Sequence, residues 1–235
     1  MKERYRMFIE KYNLSDLKGL DLMWFALFPL LNINYVIASS IAENGKNLSI
    51  ALDKKIPFLS IFIFPYIYWY IYVFVGLTFI LLKNRRNYMR ALLAISIGMC
   101  VCYLIYYLFP VEIVRPTIIS NSLPNKLVSI IYENDRPFNC FPSIHVLNTY
   151  IIMRYTSKKD NKSWFYYTQT IGILIILSTL FIKQHFILDG IAGIVLGEVV
   201  IVAFRKIEDK HLDNILLLPY KFIEKIKKKN DIPIN

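Results

Sequence analysis

PFLSIFIFPYIYWYIYVFVGLTFILL, residues 57–82, runs for 26 residues without a charged side chain. A helix rises 1.5 Å per residue, and crossing the ~30 Å hydrocarbon core of a bilayer takes about 20 apolar residues. This stretch is long enough. It is apolar throughout rather than along one stripe, and its aromatics crowd between Tyr66 and Tyr72. A helix of that kind belongs in lipid, not on the surface of a water-soluble domain.

Working outward, Leu20–Ala42, Ala91–Phe109, Trp164–Ile182 and Phe186–Phe204 repeat the pattern. Pro142–Tyr155 is a weaker apolar run that ends at Arg154 and is predicted as a further span. The expected fold is therefore all-α, a bundle of six transmembrane helices. Residues 1–18 are charged and mixed, so no separate secretory signal stands out. Within them, Tyr5–Leu17 mixes Phe8, Ile9, Tyr12 and Leu14 with charges, which predicts a short amphipathic helix on the inner membrane surface. Three segments follow: an amphipathic cytoplasmic segment over 1–18, a six-helix transmembrane domain over 19–206, and a basic cytoplasmic tail over 207–235.

The chain carries 28 Lys and Arg against 17 Asp and Glu. Their placement matters more than the excess. With the amino terminus inside, 21 of the basic residues fall in cytoplasmic segments and 7 outside. Positive residues favour the cytoplasmic side, so both termini are expected there, in a multi-pass cell-membrane protein. Because the charge sits at membrane boundaries, anionic lipid headgroups account for it and nucleic acid is not an expected partner. Cys100, Cys102 and Cys140 have spacings that fit neither a zinc site nor a disulfide framework.

The chemistry-bearing residues gather in the outer connections. Pro110–Phe141 contains two Arg-Pro pairs, Arg115-Pro116 and Arg136-Pro137, and leads into Phe141-Pro142-Ser143-Ile144-His145. Proline suits the first helical position, which places His145 in a helical first turn beside free backbone N–H groups, a setting that attracts phosphate. The last two spans are joined only by Lys183-Gln184-His185, and Asp189 follows four residues after His185. On a helix the two share a face, so the carboxylate can accept a hydrogen bond from the imidazole's Nδ1–H and leave Nε2 as the free nucleophile. A carboxylate one turn into an apolar helix is costly unless it has a task. Taken singly, each residue reads as an interfacial anchor or a headgroup-level histidine; the joint placement on one side is what points to a site. His211, in the tail, reads as a surface residue.

At these residues the chain resembles the type 2 phosphatidic acid phosphatase superfamily, six-helix membrane phosphatases and phosphotransferases. Three motifs match in order over roughly residues 91–205: Arg115-Pro116, Pro142-Ser143-Ile144-His145, and His185 with Asp189. Two positions depart. Leu108 stands where the family's first motif has Lys, and Thr179, after Ser178, stands where the third has Arg. The Lys183-Gln184-His185 run is similar to the branch related to inositol phosphorylceramide synthase.

The resemblance implies that His185 attacks phosphorus to give phosphohistidine, with Asp189 orienting it. It implies that His145 protonates the departing oxygen and later activates water or an alcohol. Arg115, Lys183 and Ser143 would hold the phosphate oxygens, with Lys183 replacing the missing Arg and Arg136 as the alternative to Arg115. No metal or other cofactor is implied, since Glu112, Glu133 and Asp135 lie scattered through one loop.

Three functions follow. The first is a lipid phosphate phosphatase acting on phosphatidic acid, a polyprenyl diphosphate or a related lipid at the outer face. The second is a phosphotransferase moving a phosphoalcohol headgroup between lipids. The third is a non-catalytic lipid-binding membrane protein.

Overall fold

The computed structural model describes residues 19–229, so the amphipathic helix expected within residues 1–18 lies outside the described residues. Those that are described fold as helices joined by irregular segments, with one isolated parallel bridge between Lys46 and Val111. A 3₁₀ segment, Gly19–Ala26, runs into α1 (Leu27–Ile41). Then come α2 (Ile63–Lys83), α3 (Arg85–Leu108), α4 (Leu123–Asn134), α5 (Ile144–Tyr155), α6 (Lys162–Phe181), α7 (Ile187–Arg205), α8 (Asp209–Leu216) and α9 (Leu218–Lys229).

Five helical stretches are long and apolar enough to cross a membrane: Asp21–Ile41, Ser60–Lys83, Arg85–Leu108, Lys162–Phe181 and Ile187–Arg205. Their outward surfaces carry Ile33, Val36, Ile71, Phe74, Leu104, Val195 and Val199, side chains suited to acyl chains rather than water. The chain is a membrane protein, with these five long helices among the described residues.

The sixth expected span departs from this pattern. α5 has 12 residues, about 18 Å of helix, which falls short of the hydrocarbon core. It instead occupies the centre of the bundle, against α2, α3, α6 and α7, with Val146, Leu147, Ile151 and Ile152 fully buried. That position explains its weak hydropathy, because a helix wrapped by protein can hold Asn148 and Thr149, both inaccessible to solvent.

Glycine permits a close backbone approach between two of these helices. A Cβ on Gly193 of α7 would stand 2.8 Å from the Ser143 carbonyl oxygen at the start of α5. Gly193 and Gly197 share a face at the spacing that lets membrane helices approach closely, and this contact fixes the amino-terminal ends of α5 and α7 side by side.

Single polar residues punctuate the remaining elements. Asn84, the only residue between α2 and α3, accepts a hydrogen bond from the Asn87 N–H at 2.9 Å. Asn161 caps α6 through the Trp164 N–H in the same way. The connection after α3, expected to be a loop, contains α4, which begins with Pro124 in its first turn. α4 covers Ile63, Tyr66 and Ile182 through Val128. At the opposite end of the bundle, Arg85 pairs with the buried Asp21, while Arg86 and Arg90 bind Asp209 and Asp213 of α8.

Candidate active site

His185 is positioned by the reversal between α6 and α7. The backbone N–H groups of Gln184 and His185 both donate to the Thr179 carbonyl, at 2.9 and 3.1 Å. Lys183 occupies the left-handed region with φ 52°. The new helix is then secured by two carboxylates. Asp189 accepts the Phe186 N–H at 2.7 Å and Asp53 accepts the Ile187 N–H at 2.9 Å.

The imidazole of His185 is held at Nδ1, 2.9 Å from the Cys140 carbonyl oxygen and 3.4 Å from Asp189 Oδ2. A carbonyl can only accept, so Nδ1 is the donor, and in the neutral imidazole Nε2 keeps its lone pair. Asp189 was the expected partner; the nearer one is a backbone oxygen, and Asp189 divides itself between His185 and the start of α7.

His145 sits in the first turn of α5, whose cap is Ser143: its hydroxyl accepts the Val146 N–H at 3.3 Å. The ring lies between Tyr66 and Trp69, with centroids 4.6 and 4.4 Å away, and 5.7 Å from the ring of His185. The Nε2 of His145 is shielded and has no hydrogen-bond partner among the described residues. Both imidazoles line one cavity of about 280 Å³, whose walls also include Tyr35, Tyr103, Asn134, Asp135, Asn139 and Gln184. Among the described residues, no Lys or Arg lines it.

The expected phosphate ligands are placed differently from one another. Ser143 is fully buried beside the site, its N–H given to the Asp189 carbonyl at 3.0 Å. Arg115 stands one layer back. It donates to the carbonyls of Tyr132 and Asp135, stacks on the Tyr132 ring and meets Gln184 Oε1 at 2.6 Å. Arg136 is tied to the carboxyl end of α1, donating to the carbonyls of Ser39, Ser40 and Ala42.

Lys183 donates to the carbonyls of Asp53 and Ile56 and lines a separate cavity of about 180 Å³. Burial lowers the pKa of its ammonium, an effect partly offset by Asp53. Burial acts oppositely on Asp135, raising its carboxyl, while the Tyr35 hydroxyl and Arg115 pull it back down. Leu108, where the resembling family has Lys, is 75% exposed and points away from the bundle. Thr179 uses its side chain within its own helix.

Sequence reasoning missed the Cys140 carbonyl, Asp53, Gln184 and the Tyr66–Trp69 clasp. A backbone acceptor leaves no mark in a sequence. Asp53 looks like part of an exposed Asp-Lys-Lys triplet, and Tyr66 and Trp69 read as two more aromatics of a span. Among the described residues, no cluster of three His, Cys, Asp or Glu side chains is placed to hold a metal ion.

No curated protein and no solved structure matches the chain. A family model does, that of the PAP2 superfamily, over residues 47–203. That match takes in α2 through almost all of α7, together with both histidines, and covers well over half of the 235 residues: the chain belongs to the PAP2 superfamily.

Proposed function

We propose that the protein is an integral membrane lipid phosphate phosphatase working through a phosphohistidine at His185. The observation that carries this reading is the pairing of His185, its Nδ1 bound and its Nε2 open, with His145 at 5.7 Å across one cavity. Phosphatidic acid, a polyprenyl diphosphate or a related lipid would enter with its phosphate between the two rings. Nε2 of His185 forms a bond to phosphorus as the bond from phosphorus to the lipid oxygen breaks. His145 gives its proton to that oxygen. Water then takes the vacated side of phosphorus, His145 accepts its proton, and the N–P bond breaks to release phosphate.

Ser143 and the first-turn N–H groups of α5 favour anionic oxygens at that place. Arg115, bound to Gln184, and Lys183, two residues before His185, add positive charge behind the site. The site is assigned to the outer face of the cell membrane, with both termini cytoplasmic, on the distribution of Lys and Arg, a reading in which α5, among the long helices, carries the chain across as the sixth crossing.

Incubating purified protein with a ³²P-labelled lipid phosphate and quenching in alkali, which spares phosphohistidine, tests the reading. Wild type should yield labelled protein and free phosphate; His185→Ala, still inserted, should yield neither. Wild-type turnover by His185→Ala would overturn it, and saturable lipid binding without turnover would favour a non-catalytic lipid-binding protein.

A second reading, transfer to an alcohol as in the inositol phosphorylceramide synthase-like branch, draws on the polar wall formed by Asn134, Asp135 and Asn139. An acceptor hydroxyl must approach from the side the leaving oxygen vacates, and that wall borders the same cavity. Labelled headgroup appearing on an added alcohol, with little free phosphate, would decide for it.

A further inference from the structure

Arg115 and Gln184 form a pair whose orientation can be read from chemistry alone. A guanidinium has donors and no acceptor. The amide atom that meets it at 2.6 Å must therefore be oxygen, which turns the NH₂ end of Gln184 the other way. That NH₂ group is buried and has no hydrogen-bond partner, in a residue only 4% exposed. Leaving a buried donor unmet costs on the order of 1–3 kcal/mol. Gln184 lines the cavity that holds both imidazoles and directly precedes His185, whereas Arg115 does not line it.

We propose that the Gln184 amide is a phosphate-oxygen donor of this site, with Arg115 as the positioning residue that aims it and lends it charge. The inference rests on the phosphoryl-transfer reading above. As the His185 Nε2–P bond forms and the P–O bond to the lipid breaks, negative charge gathers on the three non-bridging oxygens. In a cavity with no lining Lys or Arg, a fixed neutral N–H meets that charge, and the guanidinium behind it polarises the amide through the oxygen. Arg115 is held for this task by the Tyr132 and Asp135 carbonyls and by the Tyr132 ring. Specificity follows too: the ligand that completes Gln184 is an oxyanion able to accept an N–H bond.

Two variants separate the parts. Gln184→Glu keeps an oxygen for Arg115 and removes the donor; Gln184→Met removes both at similar volume. The readouts are kcat/KM for phosphate release and the inhibition constant for orthovanadate, a probe that adopts the trigonal-bipyramidal shape of the transferring group. Each variant should lose roughly 100-fold in kcat/KM, the typical effect of deleting one such donor, and should weaken vanadate by a similar factor, with an unchanged melting temperature in detergent. Arg115→Met should lose less than Gln184→Met, and the double variant should be no worse than Gln184→Met alone.

Gln184→Glu and Gln184→Met with wild-type kcat/KM and vanadate affinity would overturn the assignment while leaving the phosphatase reading intact. Losses that multiply in the double variant would overturn the coupling of Arg115 to Gln184. A wild-type protein that neither turns over lipid phosphates nor binds vanadate would sink both readings together.

Discussion

The carbonyl oxygen of Cys140 stands closer to Nδ1 of His185 than the Asp189 carboxylate does, 2.9 Å against 3.4 Å. The tautomer of the His185 imidazole, the proposed nucleophile, is thus set by the backbone just ahead of Pro142, and the carboxylate four residues downstream supports it. Tautomer control by a main-chain atom cannot be lost to a side-chain change.

Asp189→Asn should therefore be milder than removing the imidazole. Asparagine retains an oxygen for the Phe186 N–H, and the Cys140 carbonyl still holds the Nδ1 proton. The expected loss is roughly 10–100-fold in kcat, the usual range for a group supporting a reacting ligand from behind. Single-turnover kinetics would check this, and a loss as complete as that of His185→Ala would contradict it.

Gly193→Ala should damage both stability and turnover. The added methyl meets the Ser143 carbonyl at 2.8 Å, and backbone yields less easily than a side chain. Forcing the two helices apart should cost about 1–3 kcal/mol and shift His145 away from His185. Thermal denaturation in detergent, followed beside the activity of the same preparation, measures the two effects.

Arg136→Ala and Arg115→Ala should part company. Arg136 serves three carbonyls at the end of α1 and does not line the cavity. Its loss should lower the melting temperature, by about 1 kcal/mol of stability, with KM changed less than twofold. Arg115→Ala should instead lower kcat/KM at least tenfold. A Michaelis–Menten comparison of the two purified variants distinguishes the roles.

The cluster at the far end of the bundle should respond to acid. Arg86 holds the Asp213 carboxyl below the ordinary carboxylate range, chiefly through their hydrogen bond. For a group with a depressed folded pKa, the stabilisation is complete above the unfolded pKa and disappears as pH falls through the folded one. Melting temperature should drop on acidification below the usual carboxylate range, and Asp213→Asn should flatten that dependence. Because the pair is exposed, added salt should shrink the difference.

The long apolar helices were legible because an uncharged stretch of 20 or more residues has few other destinations. α5 was legible as a short, weakly apolar run over Pro142–Tyr155, but not the reason for its weakness: Asn148 and Thr149 lower its hydropathy because burial in the bundle shelters them, which no window of sequence reveals. α4 announced itself only through Pro124, and the apolar spacing Leu218, Phe222, Ile226 that marks α9 was hidden by the surrounding lysines. In the site, the relation of His185 to Asp189 is local, four residues apart, and His145 stands in a helical first turn behind Pro142, whereas the meeting of His145 with His185, 40 residues on, depends on packing. The contacts of Arg115 with Gln184 and of Lys183 with Asp53 join residues 69 and 130 apart, and those depend on packing that the sequence does not state.

α5 has protein on its sides and, at 12 residues, is shorter than the lipid-facing helices around it. A thicker or thinner bilayer imposes its mismatch on helices that span it, through tilt and stretching. The helix bearing His145 is cushioned from that stress by its neighbours. Reconstituted into phosphatidylcholines of increasing acyl length, the protein should change turnover less than it changes thermal stability, as a reaction centre carried by an internal strut rather than by the frame.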